Sequence, residues 1–376
     1  MAGIYIHIPF CKQACTYCNF HFSTSLKQKS SFIHALIKEI SITPVLTTGP
    51  AEIDTIYIGG GTPSLLTGDE LKLIFEALHK KFTVNAHAEI TLEANPDDID
   101  HQVLSQWQRA GINRLSLGIQ SFSEDELVWM NRAHNAIESL HSIDTIQEAG
   151  FTNFSVDLIY GSPLLTNDGL KKNLEIIFEK NIQHISCYAL TVEPKTILDN
   201  MISKQRSLPV DPEKQAEQFL LLMELMRRSG YEHYEISNYA KPGMRSKHNS
   251  SYWQGHAYYG FGPSAHSFDG KNIRRWNIAN NALYIQSLIK DTIPYEEEIL
   301  TETQQLNEYI MTSLRTIEGL DLQKINAAFG IEQATTVEMR SKKYIDSKKL
   351  LLVNERLILT DEGKLFADGI AADLFF

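Results

Sequence analysis

Residues 3–20, GIYIHIPFCKQACTYCNF, run from an alternating β-branched and aromatic segment straight into three cysteines held within eight residues. The first third, GIYIHI, has the composition of a short strand. The rest spaces Cys11, Cys15 and Cys18 as C-x3-C-x2-C, so a short loop at the strand end can gather three thiols around one metal centre. A structural zinc site needs a fourth ligand, which His21 could supply. A redox pair through Cys15 and Cys18 would leave Cys11 without a role. A cubane iron–sulfur cluster has four irons, and three thiolates leave one of them open to a substrate or cofactor.

Downstream, the same kind of segment recurs. DTIYIG, AEITLEA, RLSLGIQ, FSVDLIY and HISCYAL alternate with stretches of helical period around 28–42, 68–81, 100–110, 123–149 and 167–180. Strand and helix in alternation predict a parallel α/β sheet, and six such units favour a partial or full βα barrel over a doubly wound sheet. In either case the ligand site lies beyond the C-terminal strand ends. Those ends carry the cysteine loop, Gly59-Gly60-Gly61-Thr62-Pro63, Glu93-Ala94-Asn95-Pro96, Gln120-Ser121, Asp157 and Ala189. Three consecutive glycines there point to close approach of a ligand.

After residue 190 the rhythm weakens. A helix over 211–229 precedes an aromatic and glycine-rich segment, Tyr231 to Phe268. From about 300 the chain reads as helices with a turn at Gly319, then a hairpin turning at Asn354-Glu355 and a final helix, a winged-helix-like α+β appendage. The expected organisation is a barrel over 1–190, an extension over 191–299 and the appendage over 300–376. Its role is expected to be covering the barrel mouth or contacting a partner. RSKK and DSKK occur in it, but interspersed acidic residues argue against a nucleic-acid reader.

The 376 residues are 43% hydrophobic and carry a net charge of -11, which gives no bulk attraction to nucleic acid or anionic lipid. With no apolar run of about 20 residues, membrane contact is expected to be peripheral at most. Clustered cysteines and no signal peptide fit a reducing cytoplasm rather than a disulfide framework. Cys187, inside an apolar strand, reads as a core residue.

Together the motifs YIHIPFC, C-x3-C-x2-C, GGGTP, QSF, DLIYGSP and YEISNYA resemble the radical S-adenosylmethionine family, in the branch of oxygen-independent coproporphyrinogen III oxidase and its relatives. That resemblance implies a partial (β/α)6 barrel and a [4Fe-4S] cluster on Cys11, Cys15 and Cys18. It implies S-adenosylmethionine chelating the open iron and cleaved by one electron to a 5'-deoxyadenosyl radical. Family roles carried over by position put Tyr5 and Tyr17 beside cofactor and cluster, and Gly60, Gly61 and Thr62 at the methionine end. Glu93, Gln120, Arg132 and Asp157 would surround the nucleoside, with Ala189 a backbone contact. From the residues alone, WMNRAHN would place Arg132 on a solvated helix face.

The family holds an oxidase class and a haem chaperone class. Phe20 stands where the oxidases are expected to carry a further cysteine, and the first strand begins by residue 3. HNSSYW, His248 to Trp253, matches the motif of the chaperone branch. The resemblance therefore implies a haem carrier, with haem as a further ligand and coproporphyrinogen oxidation as the alternative. His248 can serve as axial ligand and Tyr252 and Trp253 can stack on a porphyrin. Arg245 and Lys247 are near enough in sequence for its propionates, and His256 and His266 compete as ligands. The expected partners are a haem-acceptor protein, possibly respiratory, an electron donor and possibly a second copy of the chain.

Overall fold

The computed structural model describes residues 2–45 and 52–376. Six strands lie side by side and parallel in chain order: β1 (Ala2–Ile8), β2 (Glu52–Gly60), β3 (Thr83–Ala94), β4 (Arg114–Gln120), β5 (Phe154–Tyr160) and β6 (His184–Ala189). All six are the strands read from the sequence. Crossovers run through α1 (Lys29–Ile42), α2 (Gly68–Lys81), α3 (His101–Ala110), α4 (Glu124–Trp129), α5 (Ala136–Glu148) and α6 (Asn167–Glu179). Local chemistry sets their starts: Thr67 with Glu70, and Asn135 with Glu138, form capping boxes.

The helical stretch expected over 123–149 is broken. Met130 ends α4 in helical geometry, Asn131 turns the chain at φ 55°, and Asn135 starts α5 afresh. Arg132 lies in this break, not on a helix face, and its guanidinium is free to turn toward the strand ends.

The strands alternate, apart from Ile53 of β2, which joins the apolar core beside a register shift. Ile4, Ile6, Ile8, Ile56, Ile58, Leu92, Leu115, Leu117, Val156, Leu158, Ile185 and Cys187 share one apolar core with the helices. Between them come Tyr5, His7, Tyr57, Glu89, Glu93, Arg114, Ser116, Ser155 and Asp157, which pair with one another on the concave side, and Thr55, which meets His248. A period of two thus gives each strand an oily and a polar face.

Residues 191–299 extend the same sheet at both edges. They form α7 (Ile197–Ser203), α8 (Pro212–Arg228), β7 (Glu232–Glu235), β8 (Asn238–Ala240), α9 (Lys247–Trp253), β9 (Ala257–Phe261), β10 (His266–Phe268), β11 (Ile273–Asn277), α10 (Asn281–Ile289) and β12 (Tyr295–Ile299). β8 pairs antiparallel with β6 and β7 lies outside it, while β9 joins the other edge parallel to β1 and β10 to β12 continue antiparallel. The sheet does not pair β6 with β1, so the barrel is partial.

α11 (Glu302–Leu314), β13 (Leu320–Asp321), α12 (Leu322–Phe329), α13 (Ile331–Asp346), β14 (Leu350–Val353) and β15 (Arg356–Leu359) follow, then α14 (Asp361–Lys364) and α15 (Ala367–Leu374). This is the winged-helix order, with the wing turning at Asn354 and Glu355, both at positive φ. The unit has its own core around Ile310, Val337, Leu357 and Ile370. It docks on β7 and α9 through Arg315 to Glu235 (3.2 Å) and Arg245 to Glu318 (2.6 Å), and Arg315 lies 5.3 Å over the Trp253 ring. It does not cover the mouth as expected: no residue after 193 lines the cavity there.

Candidate cofactor site and barrel floor

At the C-terminal strand ends, under the cysteine loop, lies a cavity of about 460 Å³. It is lined by Cys11, Cys15, Cys18, Tyr17, Gly60, Gly61, Thr62, Glu93, Gln120, Arg132, Asp157 and Ala189, residues drawn from all six parallel strand ends and the loops that follow them. Tyr5 is not in the lining. Its hydroxyl meets His7 Nδ1 at 3.1 Å and its ring stacks on Tyr57, one layer below.

The loop is tied down before any ligand arrives. Cys11 N–H donates to Ser23 O (3.0 Å), Thr16 N–H to Met130 O (3.0 Å), and Lys12 pairs with Asp97 (2.8 Å) and Asp98. Gly61 is needed because the chain is crowded there: a Cβ would lie 2.5 Å from Phe10 O and 2.9 Å from Cys11 Sγ. The N–H groups of Gly60, Gly61 and Thr62 already go to Glu93 Oε2, Ile8 O and Phe10 O. What the glycines offer a ligand is therefore close approach.

Arg132 donates to Cys15 Sγ (3.2 Å), Asn95 Oδ1 (2.7 Å) and Gly118 O (2.6 Å), while its buried Nε has no partner among the described residues. Burial pushes the Cys11 thiol up to about 11, against a hydrogen bond with Thr62 that lowers it. Metal loading must therefore displace a proton. Among the described residues no three His, Cys, Asp or Glu side chains are grouped closely enough for a single metal ion. His21 is turned away to Asn281 Oδ1 (2.8 Å), so the zinc reading lacks its fourth ligand. Three thiols around one cavity suit a larger, multi-iron centre.

Glu93 takes the Tyr57 hydroxyl (2.7 Å) and Gly60 N–H (3.0 Å), and burial raises its carboxyl to about 7. Asp157, beside Ser116 (3.2 Å), is raised by burial to about 6. Both hold protons in the folded chain that the unfolded chain releases near pH 4. Their contribution to stability is therefore present at low pH and lost as pH rises through 6 to 7. In cluster-free protein Glu93→Gln is expected to reduce the fall in urea midpoint between about pH 5 and about pH 8. An unchanged pH profile would remove Glu93 from this account.

At the opposite end, the HNSSYW segment forms α9 and closes the barrel floor. Glu89 accepts from the N–H groups of Lys247 (3.1 Å) and His248 (3.0 Å), and Ser246 caps the helix through Asn249 N–H. His248 is 1% exposed. Its Nδ1 meets Thr55 Oγ1 at 2.8 Å, its Nε2 meets the Tyr252 hydroxyl at 3.0 Å, and its ring stacks on Tyr57 at 5.0 Å. Burial lowers its pKa to about 3. Arg245 is committed to Glu232 and Glu318, and His266 stacks on Trp276. The residues expected at haem are thus not gathered at one place: His248 and Tyr252 face inward, Trp253 faces the appendage, and His256 with Lys247 lines a second cavity.

Residues 5–177 match the radical SAM superfamily, and residues 300–366 match the HemN C-terminal domain. The fold is similar to the solved coproporphyrinogen III oxidase (HemN) of Escherichia coli, with TM-score 0.85 at 22% identity over 100% of this chain and 90% of that one. A curated heme chaperone HemW of Bacillus subtilis (strain 168) is 34% identical over 98% of both chains. That of Escherichia coli (strain K12) is 31% identical over 98% of this chain and 96% of its own. The chain belongs to the HemW heme chaperone family.

Membership in a radical SAM family implies a [4Fe-4S] cluster and S-adenosylmethionine. The residues fit such a pair: three free thiols, a crowded glycine turn and the Arg132 side chain, whose buried Nε has no partner among the described residues, line one cavity. Among described residues no helix is long and apolar enough to cross a membrane. Several residues that shape the mouth and the floor escape motif reading, namely Tyr57 and Gly118 beside the strand-end residues and Glu89 and Arg114 under α9. The available signal was parity, since Tyr57 shares the inward phase of Gly59, and Glu89 that of Glu93.

Proposed function

We propose that this chain binds haem and delivers it to an acceptor protein, with a [4Fe-4S] cluster and S-adenosylmethionine at the barrel mouth. The reading rests on full-length relatedness to proteins named heme chaperones. When bound, the cluster and cofactor would supply one-electron chemistry. Cys11, Cys15 and Cys18 would hold the cluster, and Arg132 would place positive charge beside Cys15. Glu93 and Asp157 would accept from an ammonium or hydroxyls of the cofactor. Gln120, held at φ 71° by a bulge between β4 and β5, turns its side chain to the same space. Tyr17 and Ala189 would complete the walls.

Phe20 is 66% exposed at the mouth, and the family resemblance, which implies a further cysteine at that position in the oxidases, supports a carrier. The expected result is one haem per chain by anaerobic titration in the Soret region. Reduced protein with S-adenosylmethionine and coproporphyrinogen III should form no protoporphyrinogen IX. Catalytic formation of that product would replace this reading by the oxidase.

A further inference from the structure

The floor cavity, at the N-terminal strand ends, measures about 430 Å³, within the range that holds a small ligand. Its wall has no aliphatic side chain larger than that of Ala2 and no ring besides the imidazoles of His87 and His256. Such a surface suits a water-soluble ligand that brings both charge and hydroxyl groups. We propose that it binds a phosphate monoester of a small polyhydroxylated molecule, the phosphate against Lys247 and His256 and the hydroxyls against Asp54, Asn85 and Gln254. The proposal does not depend on the haem-carrier reading.

Three observations carry it. In a chain of net charge -11, positive charge here goes uncompensated. Lys247 gives its backbone N–H to Glu89, but its ammonium has no carboxylate partner among the described residues. Lys324 of the appendage, 4.4 Å over the Tyr309 ring, has none either, and its charge reaches His256: burial lowers the imidazole pKa and Lys324 adds to that, with Asp54 opposing. A bound dianion relieves that crowding of like charge. Arg245, also in the wall, is already neutralised by Glu232 and Glu318.

The second observation is unused hydrogen-bonding capacity. The half-buried His256 ring, the His87 ring and the Gln254 amide line the cavity and make no hydrogen bond to any described residue. The third is the chemistry of the remaining wall. Asn85 Nδ2 donates to Asp54 Oδ1 (3.1 Å), which fixes a half-buried carboxylate whose second oxygen is unpartnered among the described residues. Ser250 and Ser251 donate to Ser246 O and His248 O (2.7 Å each), leaving hydroxyl lone pairs exposed to a ligand. These oxygens accept from alcohol hydroxyls and repel a phosphate, so the ester has one favoured orientation. Seated there, it would tie the starts of β2 and β3 to α9.

The test is calorimetric titration of full-length, cluster-loaded protein with ribose 5-phosphate, glycerol 3-phosphate, inorganic phosphate and ribose, with thermal melting in parallel. At least one of the two esters is expected to bind, more than about tenfold tighter than inorganic phosphate, and ribose not measurably. The same ester should raise the melting temperature, because it binds only the folded chain, and should slow amide exchange over 246–253. Lys247→Glu, at an exposed position, should leave the melting temperature of the free protein unchanged and weaken ester binding more than about tenfold. Asp54→Asn should shrink the ester's advantage over inorganic phosphate. Failure of both esters to bind overturns the proposal. So does binding that inorganic phosphate matches, or that Lys247→Glu leaves unchanged, since either result describes an adventitious ion only.

Discussion

Replacing any one of Cys11, Cys15 or Cys18 by alanine is expected to abolish the iron–sulfur cluster, whereas Cys187→Ala keeps it. With three protein ligands for a four-iron centre there is no spare thiolate, because the fourth cysteine, Cys187, lies outside the mouth cavity. Cys187 is 3% exposed on the helix-facing side of β6, outside the mouth cavity. Its loss removes a small core group and costs about 1 kcal/mol of stability. The loop itself should survive the triad substitutions, because Lys12, Asn131 and the Ser23 carbonyl hold it independently of the thiols. Iron and acid-labile sulfide after anaerobic reconstitution decide the matter, with circular dichroism to confirm folding. A triad variant with full iron content would not be compatible with the ligand set, and stoichiometric zinc in wild-type protein would restore the Cys3His alternative.

The barrel was legible in the sequence because each strand had to satisfy two surroundings at once. Ile4, Ile6 and Ile8 pack on helices while Tyr5 and His7 face a polar interior, and that alternation is visible in six residues. The cysteine loop and glycine turn were legible for a related reason: a thiol, or a backbone without a Cβ, cannot be supplied by other residue types. Arg132 was harder. Its place depends on Asn131 breaking what reads as one helical stretch, a local event that composition does not announce. The floor was hardest. HNSSYW shows residues suited to a porphyrin, but at i and i+4 His248 and Tyr252 share a helix face, and that face meets Gly3, Thr55 and Tyr57, which come from distant segments. Tertiary packing therefore turned a motif that looks open into a closed plug.

That plug depends on one buried carboxylate, and Glu89→Ala is expected to destabilise the protein by about 3–5 kcal/mol. Glu89 is 5% exposed and Arg114 1% exposed, their nearest charged atoms 3.9 Å apart. Arg114 Nε and one terminal nitrogen have no hydrogen-bond partner among the described residues, so removing Glu89 leaves the guanidinium buried without its closest counter-charge. The same substitution strips the acceptor from two N–H groups in the first turn of α9, whose seven residues are too few to hold a helix unaided. Glu89→Gln keeps an acceptor oxygen but not the charge, and should fall between wild type and alanine. Urea unfolding gives the magnitude, and amide hydrogen exchange over 246–253 shows whether the floor opens. The mouth is built from other contacts, so folded Glu89→Gln should still load iron. A loss below about 1 kcal/mol, with unchanged exchange across α9, would mean that packing of His248 on Tyr57 holds the floor without the carboxylate.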